Sequence, residues 1–310
     1  MNRVLASLAP VVISAIYFFG WRVVAVLAVT AVAGFLTEWY MQSKKGGKVS
    51  TACFVTTTLL ALSLPPAVPL WIAAVGSVIA IFFAKEAFGG FGKNPFNPAI
   101  VGRAFIYVSF PVEMASQFSP AYHGFPGGFA AWSASGGVDA LSAATPLFAF
   151  RNLSFSTDLL QLFTGSIGGG AVTAAGSMGE VSALVLLFSA VYLIATGTAK
   201  WQLTFSTLLG ASILSFILHN IAGIAAVPSV PATLFSGALM FVAVFMVTDP
   251  VSAPRQQISQ WIYGLFIGMM IVLFRYKAAF VGGAAFAVLL GNIIGPSIDM
   301  WIAKTKKAKA

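Results

Sequence analysis

Val23-Val24-Ala25-Val26-Leu27-Ala28-Val29-Thr30-Ala31-Val32-Ala33-Gly34-Phe35-Leu36-Thr37-Glu38-Trp39 holds a single charge, next to its end. As a helix this run is about 26 Å long at 1.5 Å per residue. That nearly matches the roughly 30 Å hydrocarbon core of a bilayer. Arg22 stands before it, and Lys44, Lys45 and Lys48 follow. The same pattern of an apolar run bounded by breakers and charges recurs along the chain. It predicts spans at Leu5–Phe19, Val23–Trp39, Ala52–Leu64, Val68–Phe83, Ala99–Pro111, Val181–Thr196, Trp201–Ile221, Ala232–Val247, Ile258–Phe274 and Ala278–Ile294. We therefore expect an all-α integral membrane protein of about ten transmembrane helices.

Composition agrees. Of 310 residues, 59% are hydrophobic and 8% charged, against roughly 25% charged in soluble domains. Surface scales with volume too steeply for a soluble fold to hide so much apolar area. The net charge of +9 does not point to nucleic acid, because no polar domain carries it. One cysteine, Cys53, cannot supply the four ligands usual for an iron–sulfur cluster. The two histidines, His123 and His219, are far apart.

Charge placement predicts orientation. With the N-terminus inside, the cytoplasmic side holds Arg3, Lys44, Lys45, Lys48, Lys85, Lys93, Arg103, Lys200, Arg255 and Lys304, Lys306, Lys307 and Lys309. Only Arg22, Arg151, Arg275 and Lys277 fall outside. Both termini are then cytoplasmic, and the polar, Gly-rich stretch 112–180 is extracytoplasmic. Ten spans divide into five and five, and an odd number inverts the second half, as in many transporters. The expected organisation is one membrane domain: a first five-helix half over 1–114, an outside loop over 115–180 and a second half over 181–310. The short run Ala52–Leu64, stopped by Pro65-Pro66, and the run between Pro231 and Asp249-Pro250 occupy matching places. They read either as central binding elements or as ordinary tilted helices.

Eight acidic residues exist in all, and a carboxylate inside a bilayer is costly. Glu38, Asp249 and Asp299 lie at or near the ends of spans. They are candidates for an ion path, or helix-end charges solvated at the interface. The stretch Phe88-Gly89-Gly90-Phe91-Gly92-Lys93-Asn94-Pro95-Phe96-Asn97-Pro98-Ala99 combines glycines, helix-breaking prolines and two amides three residues apart. With Lys93 and Arg103 nearby it could grip a planar heterocycle. It reads equally as a breaking loop whose asparagines cap backbone. In the outside loop, Asp139-Ala140-Leu141-Ser142-Ala143-Ala144-Thr145-Pro146 leaves the Thr145 hydroxyl among small residues.

Taken together, these stretches resemble the RnfD and NqrB family of membrane subunits, from the Rnf complex and the sodium-pumping NADH:quinone oxidoreductase. The resemblance rests on Gly92–Ala99 running into Gly102-Arg103-Ala104-Phe105, on Asp139–Thr145, on Gly176-Ser177-Met178-Gly179-Glu180, on Thr248-Asp249-Pro250-Val251, and on Gly291-Asn292 with Pro296 and Asp299. It implies a fold similar to urea channels, with inverted five-helix repeats, in a bacterial or archaeal cytoplasmic membrane. It implies FMN carried on Thr145 through a phosphoester bond, installed by a flavin transferase that reads Asp139, Ser142, Ala144 and Thr145. It further implies a non-covalent riboflavin near the cytoplasmic side, at Asn94 and Asn97; from the residues themselves we expect Phe91 or Phe96 to stack on its ring. The implied role is an electron relay among flavin and iron–sulfur subunits of one complex, coupled to Na⁺ or H⁺. The chain's length favours RnfD over NqrB. Departures from the pattern are Ala143 in place of glycine, Val281 in place of an acid, and the insert Ile167–Ala175.

Overall fold

The computed structural model describes residues 1–119, 121–122, 126–133, 159–165, 176–278 and 283–309. Asp139, Ser142, Ala143, Ala144 and Thr145 lie outside them, as do His123, the insert 167–175 and the Val281-Gly282 pair.

Among the described residues the chain forms thirteen α-helices. These are α1 (Asn2–Phe19), α2 (Arg22–Lys45), α3 (Thr51–Leu62), α4 (Leu70–Ile81), α5 (Pro98–Ser109), α6 (Pro111–Ser116), α7 (Leu159–Thr164), α8 (Ala183–Ala195), α9 (Trp201–Phe216), α10 (Val230–Phe235), α11 (Leu239–Phe241), α12 (Gln257–Lys277) and α13 (Ala284–Lys309). Three of them run on into π-helical turns: α4 into Phe82–Glu86, α9 into Ile217–Ile221 and α11 into Val242–Met246.

Every apolar run expected from the sequence is met by helix, in order. Five helical stretches are long and apolar enough to cross a bilayer: Asn2–Phe19, Arg22–Lys45, Trp201–Ile221, Gln257–Lys277 and Ala284–Lys306. The protein is a multi-pass membrane protein. The other runs form shorter helices, for local reasons. Pro65-Pro66 removes donors just past α3. Asn97 and Pro98 start α5 late. Ser236, Gly237 and Ala238 separate α10 from α11. Short helices expose backbone ends, so they sit where protein covers them. Leu59 to Leu62 at the end of α3, and Leu239 to Val247 through α11 and its π turn, are buried throughout.

Two ends can be distinguished. At the end where α2 begins, the far end, the Arg22 guanidinium donates to the carbonyls of Pro66, Ala67 and Val68. The 176–180 loop is tied there by Met178 N–H to Leu64 O and Gly179 N–H to Leu62 O. At the near end, where α2 finishes, Lys45 meets Glu86. Exposed Trp21, Trp71 and Trp132 mark the far end, and Trp39, Tyr40, Trp201 and Trp301 the near end. Amphipathic rings collect at the two interfaces of a bilayer. Trp21, just before α2, and Trp39 within it are eighteen residues apart, about 27 Å of helix. This is close to a hydrocarbon thickness.

Close approach of helices depends on small residues, as is usual in lipid. A Cβ at Gly268 of α12 would stand 2.0 Å from Thr207 O of α9, and one at Gly264 would meet the Ser206 hydroxyl. Ser206 Oγ also donates to Gln260 O across this contact, at 3.3 Å. In the first half Ser77 Oγ of α4 donates to Thr30 O of α2 at 2.7 Å, beside Gly34.

Candidate functional site

The first helix, α3, the turn after α4, the end of α8 and the turn after α11 converge at the near end. They enclose a cavity of about 140 Å³, widening to about 830 Å³ when its open mouth is included. Lys85, Phe91, Asn94, Asn97 and Asp249 lie on its wall, with Thr56, Thr198, Phe245, Thr248 and Val251. Residues that the sequence places more than 150 positions apart therefore share one space.

Local chemistry explains how each is held. Gly89, Gly90 and Gly92 all have positive φ, from 89° to 104°, backbone that residues with a Cβ rarely adopt. They turn the chain back after α4. Asn97 then starts α5 as its cap: Oδ1 accepts from Ala99 N–H at 3.0 Å and from Ile100 N–H at 3.4 Å, with Pro98 next. Its Nδ2 donates to Met246 O at 3.2 Å, which ties the turn to the second half. Asn292 of α13 completes this link. Its Oδ1 accepts from Asn97 N–H, and its Nδ2 donates to the Tyr263 hydroxyl at 2.7 Å. The capping reading of Asn97 is therefore met in full. Asn94 donates once, to Phe96 O at 3.0 Å, and remains on the cavity wall.

Lys85 enters the sequence reading only as a topogenic charge. In the fold it is buried, 1% exposed. Its ammonium pairs with Glu38 Oε2 and donates to Ser50 Oγ at 2.8 Å. Glu38 Oε1 accepts from both the N–H and the hydroxyl of Ser50, each at 2.8 Å. Glu38 is thus a buried, fully engaged carboxylate rather than a solvated helix end. Breaking such a pair from one side costs about 3–5 kcal/mol, because it strands a charge. A signal for it exists in the sequence: a lysine inside the predicted span Val68–Phe83 or just past it needs a partner, and few acids exist to provide one. Next to it, Glu86 Oε2 accepts from Gln42 and Lys45 at 2.7 and 3.3 Å.

Asp249 sits half-buried on the cavity wall, in the turn after α11. Ser252 Oγ donates to it at 2.9 Å and Val251 N–H at 3.2 Å. No lysine or arginine nitrogen among the described residues lies within 4.0 Å of it. Burial pushes its carboxyl above the ordinary aspartate value, against the pull of the Ser252 hydroxyl and the turn amides.

Other predicted residues are not brought into this space. Lys93 is exposed, its stem against Gly89. Phe96 does not line the cavity, whereas Phe91 does. Asp299 accepts from the Arg255 and Gln256 amides at 2.8 and 3.3 Å, beside the start of α12. A carboxylate there is favoured by the helix dipole. Arg103 departs most from expectation. The charge bias groups it with Lys93 at the cytoplasmic side, but its guanidinium points along α5 to the far-end loop, 3.5 Å from Ser177 Oγ, with Nε unpartnered among the described residues. Arg275, also buried, spends its donors on Thr233 O and Ser236 O. Among the described residues there is no cluster of side chains suited to a metal ion.

The cavity suits part of a planar ring. Phe91 and Phe245 offer faces, Asn94 an amide edge, and Lys85 a nearby cation. The enclosed part is smaller than the roughly 300–1,000 Å³ of typical ligand pockets. A flavin-sized ring would therefore lie partly in the mouth.

Comparison with known proteins extends over the same elements. Residues 1–308 match the NQR2, RnfD, RnfE family. The chain is 33% identical to the D-type subunit of the ion-translocating oxidoreductase complex of Vibrio cholerae, over 97% of this chain and 92% of that one. It is 34% identical to the B-type subunit of the Na(+)-translocating NADH-quinone reductase of Azotobacter vinelandii, over 89% of this chain. The same level holds for the corresponding subunit of Pseudomonas aeruginosa, over 88%. The chain spans just under two thirds of these quinone-reductase subunits, 66% and 65%. A family match over all but the last two residues leaves one assignment: this chain belongs to the NQR2, RnfD, RnfE family.

Proposed function

We propose that this chain is the D-type membrane subunit of an Rnf-like, ion-translocating oxidoreductase complex, carrying FMN on Thr145 and binding riboflavin at the near-end cavity. The observation that carries the reading is the meeting of Asn94, Phe91, Lys85 and Asp249 in one cavity, within a family whose named relatives include ion-translocating subunits. The flavins supply one-electron chemistry when bound. The chain's residues would supply position and field from the cavity wall: Asn94 an amide, Phe91 an aromatic ring and Lys85 a positive charge. The 97% coverage shared with the Vibrio cholerae D-type protein favours the D type. An NqrB-like subunit of a quinone reductase is the second reading, favoured by the 34% identity to those proteins.

The proposed arrangement is two five-helix halves of inverted topology. Its support is matched packing. In the first half α2 packs on α3 and α4, and α4 on α5. In the second α9 packs on α10 and α12, and α12 on α13. Each half also places a short buried element against the cavity, α3 in the first and the π turn after α11 in the second. The proposed ion path runs through Glu38 and Asp249, with Asp299 at the same end. Partner subunits and a flavin transferase, reading Asp139, Ser142, Ala144 and Thr145, belong to the same proposal, as does transport of Na⁺ or H⁺. Moving one charge against 100 mV takes roughly 2.3 kcal/mol.

The test is mass spectrometry of the peptide containing Thr145 from cells that hold the transferase. The expected result is added FMN mass, and ultraviolet fluorescence of the denatured band that Thr145→Ala abolishes. An unmodified peptide and a dark band would leave the redox role without support.

A further inference from the structure

Lys85 and Asp249 both line the near-end cavity, and Glu38 pairs with Lys85 from behind its wall. Glu38 holds Lys85 in the structure as it stands. Asp249 faces the same cavity from the other half of the chain, and its partners among the described residues are uncharged: the Val251 and Ser252 amides and Ser252 Oγ. A carboxylate in such surroundings takes a proton or a cation when no counter-charge is supplied. The remaining ionisable groups around them do not supply one. Glu86 is engaged with Gln42 and Lys45. The Tyr263 hydroxyl on α12 is held by Asn292. Cys53 on α3 is buried close to Glu38. The Met1 end of α1 lies on the cavity wall but makes no ion pair within 4.0 Å among the described residues.

Two features suit Lys85 to movement. An ammonium on a four-carbon stem is a point charge with no demand for planar geometry. Lys85 also sits in a π-helical turn, and Asp249 lies three residues past another. Such turns inside helices are concentrated at functional sites. Both are followed by segments broken by glycine or proline.

We propose that Lys85 is a shared counter-charge that passes between Glu38 and Asp249, and that the carboxylate it leaves takes one monovalent cation, a proton or Na⁺, from the cavity. In the first state Lys85 is on Glu38, as in the structure, and the proposal assigns the cation to Asp249. In the exchanged state the cation leaves Asp249; for a proton, the O–H bond there breaks. Lys85 moves onto Asp249, and a cation of equal charge arrives on Glu38, forming an O–H bond if it is a proton. The two carboxylates, the lysine and the cation sum to zero before and after, so no uncompensated buried charge is created. This rests on the ion-path reading of Glu38 and Asp249 and gives it a moving part.

The experiment uses the full chain in its membrane, a hydrophobic carbodiimide that reacts with protonated carboxyls, and mass spectrometry to read occupancy at each site. Across a pH series wild type should go on labelling at Asp249 to higher pH than at Glu38. Glu38→Gln releases Lys85 to Asp249 and should lower Asp249 labelling about tenfold, equivalent to one pH unit in proton affinity. Adding Lys85→Met to that variant should restore the labelling. Should Glu38→Gln fail to fold, Glu38→Asp retains the charge but shortens the reach to Lys85, and Asp249 labelling should again fall. Unchanged Asp249 labelling in a folded Glu38 variant makes Lys85 a fixed strut and overturns the proposal. A chain without flavin would sink the redox reading yet leave this labelling pattern in place.

Discussion

Asp249 shows how a single carboxyl reports its surroundings. Its raised proton affinity means the folded chain binds that proton more tightly than the unfolded chain does. Stability should therefore fall as pH rises from about 3.9, the unfolded aspartate value, through the higher native value. Asp249→Asn removes this dependence. In detergent the variant should be more stable than wild type at neutral pH, by about 1.4 kcal/mol for each tenfold change in proton affinity, read as a higher Tm. The two should converge in acid. A variant less stable than wild type at neutral pH would mean that the charged form has a partner. Glu38 shows the opposite case, a carboxylate whose burial is compensated by Lys85 and by two bonds from Ser50. The acids could be picked out from composition alone. Which of them would be paired could not, because the pairing depends on helices 47 residues apart along the chain.

At the scale of elements, α9 and α12 approach closely, and glycine makes it possible. Gly268→Ala would put a methyl against Thr207 O and the Ala211 N–H. Backbone on both sides cannot rotate away, so the helices must separate. We expect a loss of about 1–3 kcal/mol, the usual cost of overpacking, read as a lower Tm in detergent. By contrast Gly46→Ala, at the exposed end of α2 with nothing within 4 Å, meets only the cost of its left-handed φ of 68° and should lose less. The sequence shows the helices themselves plainly, since each is an apolar run. It does not show where they break. The gap between α10 and α11 falls at Ser236-Gly237-Ala238, inside what reads as one continuous run. The break persists because surrounding protein satisfies the freed backbone groups.

For the whole molecule, charge bias and aromatic placement give a topology that can be tested directly. A Cys53→Ser background carrying single cysteines should accept a membrane-impermeant maleimide from outside at position 145. Positions 48 and 304 should react only after the inner face is opened. Labelling of position 48 from outside would invert the assignment and put the near-end cavity on the opposite side. The far-end belt of Trp21, Trp71 and Trp132 and the near-end belt of Trp39, Tyr40, Trp201 and Trp301 set the expected depth of the bilayer.

The division between sequence and tertiary structure follows from the range of the forces involved. Membrane residence, the order of the helices, the glycine turn at 89–92 and the cap at Asn97 are local matters. They follow from the apolar content of a run, or from what a few adjacent residues allow, and can be read along the chain. The ion pair of Lys85 with Glu38, the departure of Arg103 to the far end, and the meeting of Asp249 with Asn94 across the two halves are not local. Each is set by which helices pack together. In lipid that choice rests on close fit between small residues, and a linear pattern of hydrophobicity carries almost no record of it.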